Sequence, residues 1–447
     1  MKSKAVLTEG PINKSIMKLT FGMMVGMYAM VMFNLVDTFF IGQLGTTYLA
    51  AMSFTFPVVM IYSHIGLGLG VGASAVISRA IGNGDHETVQ RLTTGALILG
   101  FGIAVIMIVL GLLTIDPVFR ALGAKGEILG YIKDYMFIWY IGVPFVVIPM
   151  MGNNAIRAAG NTAIPSTVMI IGMTVNGIID PILIFGLGPF PRMELKGAAI
   201  ATVFARLTTF AVTLLFLKYK FKMISFAVIK INTIFDTWRR VLFIGIPASL
   251  TQFIVPISMG IITRMVSGYG EEAVAALGVG TRIEMFALAP IFSLGTVILA
   301  FAGQNIGAKN FDRLHKGIKF SHRFSMITGA ILFIGLAFSG KYIAMIFDNN
   351  VNVIQIIVLY LILVSAGYGF QGIMFVTANT FNAMHKPYKA MSMNAIRMFG
   401  LYVPLAWLGS YFWDLPGLFA GVGLSAVIGG IIAMIWVNRA VVGLKTH

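Results

Sequence analysis

Two carboxylates and their carboxamide neighbours stand where an apolar run would be expected to continue. In Thr174-Val175-Asn176-Gly177-Ile178-Ile179-Asp180-Pro181, Asn176 and Asp180 lie four residues apart, so on a helix they share one face. Pro181 has no backbone N–H, and the Gly177 carbonyl one turn earlier loses its usual helical partner. A carboxylate, a carboxamide and a freed carbonyl on one face can hold a small cation or a proton. An ionisable side chain is costly inside a bilayer, and its retention there points to function. The competing reading puts Asp180 near the interface or pairs it with an arginine.

The segments that must position these groups are apolar. Of the 447 residues 58% are hydrophobic and 11% charged, against about 25% charged in soluble domains. The pattern reads as an all-α membrane protein with twelve spans, its longest polar stretch running over 218–240. The net charge of +16 could suggest a nucleic-acid partner, but the Lys and Arg concentrate on both termini and on alternate loops. That is the positive-inside asymmetry, so a multi-pass protein of the plasma (inner) membrane with both termini cytoplasmic is expected, without nucleic acid. No small-residue cleavage site separates the basic first residues from the first span, which is expected to stay as an anchor. With no cysteine there is no disulfide framework, and the scattered histidines form no His-Glu-x-x-His motif. The glycines from Gly66 to Gly72 resemble a phosphate loop only superficially; helix packing through small residues explains them better. No nucleophile or metal constellation marks an enzyme, and no cofactor is expected.

Sliding the sequence on itself by 225 residues superposes Gly45 to Ala51 on Gly270 to Ala276, Gly70 on Gly295, and Ile81-Gly82 on Ile306-Gly307. At a slightly shorter offset Pro165 falls on Pro387. Six spans per copy make the repeats parallel, and the division expected is 1–217, a basic linker 218–240, and 241–447. Asp37, Asp180 and Glu284 are the acids well inside spans. Asp37 maps onto Ile262, so the first copy alone owns the carboxylate pair. At 1.5 Å per residue Asp37, Asp180 and Thr202 share a level roughly 7 to 11 Å below the outer helix ends. Asn34 and Asn176, one turn deeper, would floor the cluster. Two carboxylates in a poorly hydrated cleft do not both stay ionised without a cation between them. Glu284, two residues after Arg282, is read as a salt link to a neighbouring helix, with a second ion site as the alternative. Arg206 and Arg282 are the arginines assigned to span interiors, which argues against an anionic cargo.

These residues carry a resemblance to the multidrug and toxic compound extrusion (MATE) transporters over essentially the whole chain. The matching motifs are Asn34-Leu-Val-Asp37-Thr38 with Gly42-Gln-Leu-Gly45, Ile77-Ser-Arg-Ala-Ile-Gly82-Asn-Gly84, Arg157-Ala-Ala-Gly160-Asn-Thr, Asn176-Gly-Ile-Ile-Asp180-Pro181 and Gly197-Ala-Ala-Ile-Ala-Thr202. The resemblance implies two pseudo-symmetric six-helix lobes in a V, exchanging H⁺ or Na⁺ for cationic or amphipathic organic compounds. It implies a first-lobe cation or proton site at Asp37, Asn176, Asp180 and the Thr202 hydroxyl, with the Ala198 carbonyl beside it; Na⁺ would bind at the first four. Asn153 and Asn154, with Asn34, would line a substrate cleft. The span that carries a second-lobe acid in one branch offers Gln371, Asn379 and Asn382 here, so the chain looks more like the DinF branch. Many relatives bend span 1 at a proline; this chain has Gly22 there, with Gly26 one turn on, and these with Pro181 are the hinge candidates. A monomer in the lipid bilayer is expected. The rival readings are a flippase for lipids or lipid-linked precursors, for which the cavity would be rich in Arg and Lys, and a non-transporting receptor or scaffold.

Overall fold

In hydrocarbon a backbone N–H or C=O has no partner except the chain itself, so apolar runs of this length become helices. The computed structural model describes residues 5–225 and 231–445, apart from the side chains of Asn34, Ile231 and Lys445. In order the helices are α1 (Ile12–Gly42), α2 (Thr46–Asn83), α3 (His86–Ala121), α4 (Gly126–Ile141), α5 (Pro144–Ala158), α6 (Ala163–Phe185), α7 (Glu194–Leu215), α8 (Ile231–Val266), α9 (Glu271–Ala287), α10 (Ala289–Gly307), α11 (Phe311–Phe347), α12 (Val351–Ser365), α13 (Tyr368–Ala383), α14 (Pro387–Ala395) and α15 (Val403–Lys445). A π-helical stretch, Ile396–Tyr402, joins α14 to α15.

Among the described residues nine helical segments are long and apolar enough to cross a membrane, and the bent pairs α4–α5 (44°) and α12–α13 (51°) each make one more crossing. The last segment is two helices. Trp413 and Asp414 leave helical geometry, Asp414 with φ 49°, and the chain doubles back before Pro416. Glycine makes that hairpin possible, because a Cβ at Gly409 would collide with the Gly417 carbonyl and one at Gly417 with the Gly409 carbonyl. Divided there, the crossings number the twelve that the hydropathy pattern predicts.

The described helices form two units, residues 25–249 and residues 5–24 with 250–447. Both boundaries fall inside helices, α1 and α8, whereas the polarity of the sequence suggested a division in 218–240. A polar stretch marks where a chain leaves the bilayer. It does not say which helices the next span packs against. In the second unit the turn Val6–Thr8 docks on α10 and α11: the Leu7 amide donates to Gln304 Oε1 at 3.0 Å, and Arg313 donates to the carbonyls of Leu7, Glu9 and Gly10. In the first unit the start of α8 lies on α2 and α3, where Trp238 Nε1 donates to the Gly95 carbonyl at 3.0 Å.

The Gly66–Gly72 run is a packing face. A Cβ at Gly68 would strike Ser249 and Gly245 of α8, one at Gly70 would strike Asn154 of α5, and one at Gly72 would strike the Val241 carbonyl. Gly72→Ala should therefore lower stability by about 1–3 kcal/mol, the usual cost of forcing atoms into a filled contact. Gly102→Ala, whose Cβ would meet nothing within 4 Å, should be neutral or stabilising by up to about 1 kcal/mol. Chemical unfolding of the two variants in detergent checks the contrast.

Candidate functional site

Three helices of the first unit bring the predicted cation residues together, and glycine sets how closely they approach. Helix α6 ends at Gly186, in the left-handed region at φ 74°, and the Met193 amide returns to the Leu183 carbonyl at 3.0 Å. Helix α7 then runs back along α6. A Cβ at Gly197 would lie 2.6 Å from the Leu183 carbonyl, and one at Gly172 would lie 2.6 Å from the Thr209 methyl. These two contacts fix the antiparallel register, which leaves Asp180 level with Ile200 and Ala201, next to Thr202. Helix α1 runs parallel to α6. Its Gly26 lies against Ser166, where a Cβ would stand 2.6 Å from the hydroxyl, and Val36 lies against Gly177. That register carries Asp37 to the level of Asp180.

The resulting cluster is buried. Asn176, Asp180 and Ala198 are fully buried, and Asp37 and Thr202 are each 7% exposed. Asp37 and Asp180 lie within each other's electrostatic field. Six of their polar atoms are buried without a hydrogen-bond partner in the protein: Asp37 Oδ1, both side-chain atoms of Asn176, both carboxylate oxygens of Asp180, and Thr202 Oγ1. Buried polar groups are ordinarily paired, so such a concentration at one place needs a reason. Five of the six are oxygens. That donor set suits a small hard cation, or a proton shared between the carboxylates.

Two further residues face this cluster. Tyr135 of α4, 2% exposed, lies in the field of Asp37, Asp180 and Arg206. Arg206 of α7 acts on Asp37 through space without an ion pair, and its guanidinium sits over the Phe33 ring at 4.7 Å. Sequence reasoning passed over Tyr135 and placed Arg206 within a span without linking it to Asp37. The repeat held a signal for Tyr135, because the same offset that aligns Gly70 with Gly295 aligns it with Tyr360. Arg206 stands four residues after Thr202, on the same face of α7.

The other candidates are placed differently. Asn153 and Asn154 are buried in α5; Asn154 donates to the Met150 carbonyl at 2.8 Å and Asn153 accepts from Thr213. The Asn34 side chain lies outside the described residues. Gly22 and Gly26 bracket the point in α1 where one unit gives way to the other, and α6 continues past Pro181 to Phe185. Glu284 makes no ion pair within contact distance. It accepts from the Tyr360 hydroxyl of α12 at 2.5 Å and feels Arg397, in the π-helical stretch, through space. The expected salt link to a neighbouring helix is thus a hydroxyl contact, with the charge held further off.

The arginine count also changes. Arg157, read as a loop residue, is in α5 and 7% exposed, and Arg397 lies within the last-but-one crossing. With these two arginines also inside helices, the number of arginines in the spans no longer speaks against an anionic cargo. Helices here extend past the points where hydropathy falls, because packing shelters their polar ends.

The profile of the MatE family matches residues 23–182 and again residues 247–408, one match in each copy of the repeat. The chain is 36% identical over 431 residues to the FAD transporter of Shewanella oneidensis, covering 96% of this chain and 95% of that one. It is 26% identical over 396 residues to the probable multidrug resistance protein YoeA of Bacillus subtilis, covering 88% and 86%. Among solved structures it resembles the Vibrio cholerae MATE transporter VcmN in the bent form, with a TM-score of 0.92 and 29% identity over 97% of this chain and 98% of that one.

A buried cluster of unpaired acceptors is held together at a cost to stability. Asp180→Asn keeps the shape and removes the need to neutralise a buried carboxylate, so it should stabilise the folded protein by about 1–3 kcal/mol at alkaline pH, where no proton is shared between the acids. Unfolding in detergent, without added Na⁺, measures this; a destabilised variant would mean that the carboxylate is well satisfied.

Proposed function

The chain belongs to the MatE family of membrane transporters, and from that premise we propose that it exports amphipathic organic compounds in exchange for H⁺ or Na⁺. The observation that carries this reading is the set of six unpartnered polar atoms of Asp37, Asn176, Asp180 and Thr202, buried where α1, α6 and α7 meet. A cation arriving at that set neutralises charge in a medium of low dielectric, so the loaded and unloaded sites differ strongly in energy. Exchange needs such a difference. If the cation and the substrate favour opposite conformations, binding of one releases the other.

Helix α1 is the element on which that coupling acts. It carries Asp37 in one unit, begins in the other, and holds Gly22 and Gly26 on either side of the crossover, where glycine tolerates a bend. The carbonyl of Ala198, one turn before Thr202, is a further acceptor for Na⁺. The two units act as lobes of a monomer in the inner membrane, and the basic termini and alternate loops support a cytoplasmic location for both ends.

A second reading concerns the cargo. Arg157 and Arg397 lie within the helices, and the chain shares 36% identity with a protein named for FAD transport. Both features favour a flavin dinucleotide, whose phosphates are anionic, over a cationic drug. The multidrug relatives support the cationic cargo.

Proteoliposomes with a pH gradient or a Na⁺ gradient imposed separately distinguish these. Ethidium or FAD should move only when the driving cation is present. Asp37→Asn should lower driven flux by about 5- to 150-fold, the range that corresponds to a coupling of 1–3 kcal/mol. Undiminished driven flux in that variant would remove Asp37 from the mechanism, and movement of FAD but not ethidium would establish the second reading.

A further inference from the structure

Arg206 is the permanent cation nearest the carboxylate pair. It lies one turn beyond Thr202 on α7, and its guanidinium covers the ring of Phe33, itself one turn from Asp37 on α1. By the register that Gly172 and Gly197 impose, Arg206 lies level with Thr174 and Val175, next to Asn176. The cluster therefore has two layers, with Asp37, Asp180 and Thr202 in one and Asn176, Phe33 and Arg206 in the other. Stacking on Phe33 fixes the guanidinium close enough to act on Asp37 yet short of an ion pair. The carboxylate oxygens thus remain open to an incoming ion. From the packed helices, Arg206 of α7 acts on Asp37, and Tyr135 of α4 lies in the field of Asp37, Asp180 and Arg206. A tyrosine is neutral in the ordinary pH range, and a guanidinium keeps its proton in proteins.

Charge balance then has one solution. Two carboxylates and one guanidinium carry a single net negative charge, and in a low-dielectric site the neutral state is the stable loaded state. We propose that Arg206 is the built-in counter-ion of the Asp37–Asp180 pair, so that one monovalent cation, not two, loads the site in each exchange cycle. Without Arg206 the same two carboxylates would require two cations. H⁺ and Na⁺ satisfy the count equally, and the inference rests on the exchange reading given above. Arg206 acts through the carboxylates and is a positioning residue in this sense; its signature is a coupling ratio, which a purely structural role would leave alone.

The experiment is the limiting accumulation of a probe in proteoliposomes clamped at zero voltage. A tenfold gradient of H⁺ without Na⁺, or of Na⁺ at equal pH, is imposed, with ethidium and FAD as separate probes. One cation per cycle sustains a probe ratio of about 10, and two cations sustain about 100. The wild type and Arg206→Lys should reach about 10, and Arg206→Gln about 100. Asp37→Asn leaves one carboxylate and one guanidinium, already neutral, and should lose coupling. Adding Arg206→Gln to it leaves one carboxylate alone, and coupling should return at about 10. A wild-type ratio near 100 overturns the inference even if no variant folds, and so does Arg206→Gln unchanged from wild type. Absence of any cation-driven probe gradient in the wild type instead overturns the exchange reading, and this inference with it.

Discussion

The close approach of α6 to α7 is the constraint on which the rest depends. At Gly172 and Gly197 the two helices touch through positions that have no room for a side chain, and the register so imposed decides which residues of each helix share a level. Asp180 comes next to Thr202 because of it. Helix α1 obeys the same logic against α6, through Gly26 at one end and Gly177 at the other. Glycine in a helix interior costs stability on its own account, so glycines at successive contacts make sense where backbone proximity returns more than propensity loses. A buried site of polar atoms follows directly, because three helices packed this tightly leave little space for solvent around the side chains between them.

The duplicated halves show how a shared scaffold carries unequal chemistry. Tyr135 and Tyr360 occupy equivalent positions, and each stands beside a buried acid. In the first unit the acids come from α1 and α6. In the second, the counterpart of Asp37 is Ile262, 1% exposed in the same apolar core as Tyr360 and Tyr402, while the acid comes from α9 as Glu284. At the shorter offset that aligns Pro165 with Pro387, Tyr402 takes the place of Asp180. The Glu284 carboxylate accepts from a tyrosine hydroxyl, whereas among the described residues no tyrosine donates to the first-unit carboxylates, and Asn176 is the side chain beside Asp180. The fold is duplicated; the pair of carboxylates is not.

Arginine placement refines how charge inside a membrane protein is read. Arg206 and Arg397 both sit in helices, and neither makes an ion pair within contact distance among the described residues. The ion pairs that do form, such as Arg120 with Asp116 and Lys196 with Asp134, are on exposed side chains, where such pairs contribute little. Charges in the interior therefore act at a distance, through a low dielectric, and what they change is the state of a neighbouring acid rather than the rigidity of the fold.

Composition and periodicity by themselves determined the class of the protein, its twelve crossings and the duplication. These are local or additive properties: the length of an apolar run, the rise per residue, the recurrence of a motif. The motifs also identified the family. Only the tertiary structure decided that α1 and α8 each begin in one unit and end in the other, that Asn153 and Asn154 are buried in packing, that Glu284 is held by Tyr360, and that Tyr135 and Arg206 join the acids. Each of these depends on which faces of distant helices meet. That is settled by side-chain volumes at a few glycine contacts, and no hydropathy pattern along a single helix encodes it.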